Sequence, residues 1–435
     1  MKKLLVLQGP VTSRSGYGDH TRDILRSLIS MDKYNIQVID LRWGECPQNG
    51  IVGEDEYLKD YFLTDPLKVQ PDVFIQVSVP NEFQPMGKYN IGITAGIETN
   101  ICSAEWIQGL NRMNLIVVPS EHSKQVFLHS VYDQMDDRTR QKIGELKCTA
   151  PIEVLFEGAD LNIWKKTSAI SEDLKSQMDK IKETFCFLFV GHWLQGEVGH
   201  DRKDISSLID TFIKTFKDNP SSTRPALILK TSSATFSILD RNDMLARIKK
   251  RMRQSGIKNP PNIYLIHGDL KPSELNELYN HPKVKAHVSF TKGEGFGRPL
   301  LEATLSEKPV IATNWSGHID FLKHSQLLPG NLQEIHKSCV WDKVLVQGSR
   351  WFYVNHLYAQ KVLKDVFKNY KQYLPETKKQ AKFSATQFSL TKMKEDFVKI
   401  LEKNIISEVK LKLPELKPLK ENNKISLPKL KKMEA

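Results

Sequence analysis

Apolar positions in this chain come in short runs that end in polar, glycine-bearing turns and give way to helical spacing. Residues 3–8 (KLLVLQ) form a continuous apolar run suited to a central parallel strand. The following GPVTSRSGYGDHTR reads as a loop loosened by Gly9, Gly16 and Gly18, and from His20 the positions Ile24, Leu25, Leu28 and Ile29 repeat as in a helix. YNIQVIDLRW, PDVFIQVSVP and YNIGITAGIE predict further strands, NLIVVPSEHSKQVF a strand, Pro-Ser turn and helix, and IEVLFEGAD closes a first half. Residues 161–183 are polar and helix-prone and read as a connection. FCFLFVG opens a second series, with a stripe of Ile205, Leu208, Ile209 and Phe212, then the strands ALILKT and NIYLIHGDL. Ser273 is the expected cap of a helix that Glu274 begins. Residues 350–373 and 388–408 look helical. Such alternation predicts parallel, doubly wound domains.

One stretch, KGEGFGRPLLEATLSEKPVIATNWSGHIDF (292–321), concentrates the candidate chemistry. The β-prone KAHVSF precedes it, and a turn of Gly293, Glu294, Gly295 and Gly297 is closed by Pro299. Leu300, Leu301, Ala303, Thr304 and Leu305 suit a helix that Pro309 stops, and PVIAT restarts a strand. A helix N-terminus behind a glycine turn offers N–H groups and partial positive charge to phosphate. Glu294 and Glu302, eight positions apart, can flank one cleft as acceptors for sugar and ribose hydroxyls. The plain alternative is that Glu294 caps the helix and Glu302 is solvated.

The 435 residues are enough for two domains, and 40% hydrophobic with 26% charged content is that of a globular protein. The short apolar start reads as a buried strand rather than a signal peptide. No run approaches the roughly 18 apolar residues of a membrane span. Five scattered cysteines without a C-x-x-C argue against a disulfide framework or zinc site and fit a reducing cytosol. The net charge is +12, and residues 409–435 contribute eight Lys against three acids, so an anionic partner is expected. That tail, with Pro414, Pro418 and Pro428, reads as disordered.

Glu294, Gly295, Phe296, Gly297, Pro299, Glu302 and Ala303, followed by P-V-I-A and a glycine turn, resemble the E-x7-E signature of family 4 glycosyltransferases of the GT-B fold. The resemblance covers about residues 1–325. It implies an α/β protein of two Rossmann-like domains facing a cleft: an acceptor domain at 1–165, a nucleotide-sugar domain at 183–385, a helix at 386–408 that can return to the first domain, and the tail at 409–435. It implies no cofactor and no metal, with a nucleoside-diphosphate sugar as donor substrate. Gly16, Tyr17 and Gly18 fall in the family's N-terminal glycine loop. Lys203 falls on its phosphate-binding lysine with Arg202 before it, while His192 stands where Arg is usual. Gly268, Asp269 and Leu270 match the base-binding turn. Glu294 and Lys203, with Arg202, are the implied catalytic pair and its helper, and Gly295, Phe296, Gly297 and Glu302 the implied donor contacts. Arg298, where an apolar residue is commoner, would add a phosphate contact or an ion pair elsewhere. Glu98 and His20 are the ionisable groups placed to assist a retaining, front-face transfer. SGYGDHTR and NWSGHIDF resemble phage and viral variants, some of which glycosylate hydroxymethylated pyrimidines in DNA. Double-stranded DNA in a host cytoplasm is thus one expected partner, and a glycan or lipid-linked acceptor at an anionic membrane surface is the other. A nucleotide-sugar-binding non-transferase is the third reading.

Overall fold

The computed structural model describes residues 2–194, 197–233 and 235–405, and the expected tail at 409–435 lies outside them. The first half begins β1 (Lys3–Gly9), α1 (Gly16–Met31), β2 (Tyr34–Asp40), β3 (Val73–Val77) and β4 (Tyr89–Ile93). It continues with α2 (Ala104–Leu110), β5 (Leu115–Val118), α3 (Glu121–His129), an antiparallel hairpin of β6 (Tyr132–Met135) and β7 (Lys142–Leu146), and β8 (Ile152–Val154). Its sheet runs β2-β1-β3-β4-β5-β8, parallel throughout. The apolar runs are the strands because both faces of the sheet are covered: Leu5, Val6 and Leu7 are fully buried in succession.

A short α4 (Glu172–Asp179) lies in the connection. The second half follows as β9 (Cys186–Val190), α5 (Ile205–Phe216), β10 (Ala226–Lys230), α6 (Ile238–Gln254), β11 (Ile263–Ile266), α7 (Pro272–Asn280) and β12 (Val284–Val288). It ends α8 (Arg298–Thr304), β13 (Val310–Thr313) and β14 (Gln326–Leu328). The second sheet is ordered β11-β10-β9-β12-β13-β14, again parallel. An antiparallel pair, β15 (Gly330–Glu334) and β16 (Arg350–Val354), then leads to α9 (His356–Lys368), α10 (Tyr370–Gln387) and α11 (Leu390–Asn404).

Several local expectations need correcting. α1 starts at Gly16, not near His20, because the Ser15 hydroxyl accepts the Gly18 N–H and caps it. Gly16, Tyr17 and Gly18 are therefore first-turn residues rather than a loose loop. Gly18 is required there: a Cβ would sit 2.1 Å from the Ser13 carbonyl oxygen. α7 is entered at Lys271 with Pro272 first, so Ser273 is inside the helix, and Glu274 reaches back to the Lys271 N–H. α8 ends well before Pro309, with Glu307 in a left-handed conformation. Residues 350–354, expected to be helical, are a strand paired to β15.

α11 packs Met393, Phe397, Ile400 and Leu401 into the core of the first sheet and α1. The chain thus crosses between the halves twice, and the two crossings lie side by side. The Ala159 N–H donates to the Phe388 carbonyl and the Leu390 N–H to the Ala159 carbonyl, both at 2.8 Å. Gly158 permits this approach, since a Cβ there would lie 2.5 Å from Leu390 Cα.

Candidate functional site

The glycine turn before α8 meets the loop after β4 where the two halves face each other. A Cβ on Gly293 would lie 2.0 Å from the Glu98 carbonyl oxygen, and one on Gly295 1.9 Å from that of Ala95. Backbone from the two domains is therefore in direct contact. The Glu294 N–H donates to Ser316 Oγ (2.9 Å) and its carbonyl accepts from the Gly317 N–H (3.0 Å), which fixes the turn.

Four charged side chains converge here. Lys203 Nζ donates to Glu294 Oε1 at 2.5 Å, and Arg202 Nη1 donates to Glu294 Oε2 (3.1 Å) and to the Gly293 carbonyl (2.7 Å). Arg202 Nη2 lies 3.7 Å from Glu98 Oε1, across the domain boundary. Burial alone would raise the Glu294 carboxyl, but the Lys203 ammonium and the Arg202 guanidinium outweigh it and hold Glu294 well below the ordinary carboxylate range. Burial lowers Lys203 against the opposing pull of Glu294.

Arg202 and Lys203 are presented by a buried scaffold whose role the sequence did not reveal. Asp201 accepts the Ile205 N–H, Asp204 precedes α5 in a left-handed conformation, and the wholly buried Lys292 lies 3.5 Å from Asp204. Lys292 Nζ also donates to the Gly199 carbonyl (2.9 Å) and sits 4.5 Å over the Tyr353 ring. The available signal was D-R-K-D before an apolar helix, a charge run too dense for a solvated turn.

The remaining candidates are spread around this cluster. Tyr17 donates or accepts at Thr94 Oγ1 (2.9 Å) and lies on Trp43 (ring centroids 4.2 Å apart); burial pushes its hydroxyl up. His192 Nδ1 is 2.9 Å from the Ser233 carbonyl. Gly268, at φ 127°, accepts from Lys230 Nζ (2.8 Å), and Asp269 pairs with Arg14 of the first domain. Leu270 packs against the core beneath its turn. Gly297, at φ 104°, caps α8.

Phe296, Arg298, Glu302 and His20 make none of the polar contacts of this cluster. Phe296 is a core residue, 2% exposed and against Phe321 and Phe388, because the turn points its backbone rather than its ring at the cleft. Arg298 turns to carboxylates, with Nη1 2.7 Å from Asp23 Oδ2 and 3.3 Å from Glu157 Oε2, and Nε 3.9 Å from Glu302 Oε1. Of the two expected uses it has the ion pair. Glu302 is buried in the same group, and burial raises its carboxyl to about 8 and that of Glu157 to about 7. His20 is buried on this side, apart from Glu98, with an unpartnered Nδ1 and a ring lowered by burial to about 4. Among the described residues no three His, Cys, Asp or Glu side chains group as a metal would need. No helix among them is long and apolar enough to cross a membrane.

Residues 202–338 match the family model "Glycosyl transferases group 1". No curated protein matches the sequence. Solved structures do share the fold. HepE of Anabaena, in complex with UDP and glucose, superposes with a TM-score of 0.57 at 11% identity, covering 92% of this chain and 100% of that one. A glycosyltransferase of Rickettsia africae gives 0.61 at 13% over 94% and 100%, and sucrose-phosphate synthase of Thermosynechococcus elongatus 0.61 at 11% over 93% and 99%. Residues 202–338 thus form a group 1 glycosyl transferase domain, and the chain is a glycosyltransferase of the GT-B fold.

Proposed function

We propose that this protein moves a sugar from a nucleoside-diphosphate sugar to an acceptor hydroxyl with retention of configuration and without a bound metal. The observation that carries this reading is Glu294 held between Lys203 and Arg202 at the domain boundary. An incoming diphosphate competes with Glu294 for both cations, and the released carboxylate can accept from sugar hydroxyls. As the bond from the anomeric carbon to the phosphate oxygen breaks, Lys203 and Arg202 take the developing charge; one such preorganised donor is worth about 3 kcal/mol of barrier. The acceptor oxygen bonds to the same face and its proton passes to the departing phosphate oxygen, with Glu98 beside Arg202 to orient the hydroxyl. Capture of HepE with UDP and glucose supports the donor class. The ribose role of Glu302 requires Arg298 to shift toward Asp23.

For the acceptor, the resemblance of SGYGDHTR and NWSGHIDF to phage and viral variants points to a hydroxymethylated pyrimidine in DNA, reached by flipping the base, and the net charge of +12 fits a polyanionic partner. A second reading, a glycan or lipid-linked hydroxyl at a membrane, is favoured by exposed aliphatic residues at the start of the basic α6. A panel of labelled nucleotide sugars offered with hydroxymethylcytosine duplex, unmodified duplex and glycolipid tests both levels. Label in the modified duplex alone supports the DNA acceptor and label in glycolipid the membrane one. Donor bound but neither hydrolysed nor transferred would leave a non-transferase.

A further inference from the structure

α6 starts at the carboxyl ends of the second sheet, the edge that faces the first domain. Lys230, the last residue of β10, donates there to the Gly268 carbonyl beside the Arg14–Asp269 pair. The first two residues of the helix are Ile238 and Leu239, 76% and 80% exposed. Both are aliphatic and adjacent, and neither contributes to a core. Leu194 and Val198 are also exposed, and their neighbours Trp193 and Glu197 are tied to the second half of α6, by Arg247 Nη1 on the Trp193 carbonyl and by Lys250 on Glu197, both at 2.8 Å.

The shaft of the helix is basic. Arg247, Lys250 and Arg251 pair with Asp243, Glu197 and Asp210. Arg241, Lys249 and Arg253 are exposed and have no carboxylate partner among the described residues. Lys249 and Arg253 follow Ile238 by about three and four turns, on the same face.

We propose that α6 docks this protein on an anionic lipid bilayer. Ile238 and Leu239 enter the boundary between headgroups and acyl chains, and Arg241, Lys249 and Arg253 lie against headgroup phosphates. Cations alone suit any polyanion, but two neighbouring aliphatic side chains at this exposure gain nothing from a phosphate backbone in water. They gain apolar burial in a bilayer. The docking edge lies beside the proposed donor site, so a hydroxyl carried at the membrane surface would be presented to the cleft. This surface goes beyond the transfer reading and does not depend on it.

The test is sedimentation of the full chain with vesicles of phosphatidylglycerol and phosphatidylcholine, and with phosphatidylcholine alone. The protein is expected to pellet with the first, less so as salt rises. An Ile238→Ser/Leu239→Ser double variant should bind roughly tenfold more weakly or worse, from lost apolar burial. A Lys249→Gln/Arg253→Gln variant should bind severalfold more weakly with a flatter salt dependence. The Lys-rich tail is present in every variant and contributes equally. Unchanged thermal midpoint and donor hydrolysis show that the fold and the transfer site are intact. Equal vesicle binding by the aliphatic variant overturns the proposal, as does loss of duplex DNA retention in these variants with vesicle binding unchanged.

Discussion

Gly295→Ala is the sharpest probe of how the two domains cooperate. The added Cβ would sit 1.9 Å from the Ala95 carbonyl oxygen and 3.2 Å from Gly96 Cα, both in the opposite domain. Real Cβ atoms keep at least 3.0 Å, so Ala95 and Gly295 must separate by about 1.1 Å. Gly295 does not occupy the left-handed region, so alanine adds no backbone strain within its own domain. The cost falls on the boundary, where Arg202 and Glu98 already stand 3.7 Å apart. A misplacement of about 1 Å costs on the order of a hundredfold in rate. The expected result is a kcat/KM for transfer lower by one to two orders of magnitude, with about the same thermal midpoint and a slightly larger radius of gyration in small-angle scattering. Near-wild-type kcat/KM with unchanged scattering would show that this closed contact is not the working arrangement.

Glu294→Gln removes the shared partner of two partly exposed cations, so activity should fall at least tenfold. The thermal midpoint should drop, at a cost below the about 3–5 kcal/mol of a fully buried unpaired charge. Lys203→Ala should match it in activity, and normal rates for both would mean that the proposed site is misplaced. Glu302 and Glu157 have raised carboxyls in the fold, so the stability they lend is complete below about 4.5 and is lost as pH rises through about 7 to 8. Glu302→Gln, which imitates the protonated group, should therefore melt higher than wild type at pH 8.5 and about equally at pH 4.5, read by calorimetry across pH. Deleting residues 390–435 uncovers the places of Met393, Phe397, Ile400 and Leu401, at about 1.5–3 kcal/mol each. The first domain should then lose cooperative melting, and a retained sharp transition would refute the assignment of α11 to its core.

The strands were legible because each is buried on both faces and so reads as an unbroken apolar run. The Glu294 turn was legible because its glycines are needed where two backbones touch. Arg298 and Phe296 were not, since no spacing rule says which way a residue leaves a turn. Phe296 goes down into the aromatic core with Phe321 and Phe388, and Arg298 goes across to Asp23 and Glu157, partners 275 and 141 positions away. The strand at Arg350–Val354 was missed because RWFYV is as apolar as a helix face and its partner, GNLQE, is polar and exposed.

The paired crossings at Ala159 and Phe388 have a mechanical consequence. Two domains joined by one strand can swivel and twist independently. Here two strands, hydrogen-bonded in both directions, run together between the bodies like the knuckles of a door hinge. Bending about their common line leaves those bonds intact, whereas twisting or sliding breaks them. Losing both bonds would cost about 1–3 kcal/mol, so this pairing favours bending over twisting between the two bodies.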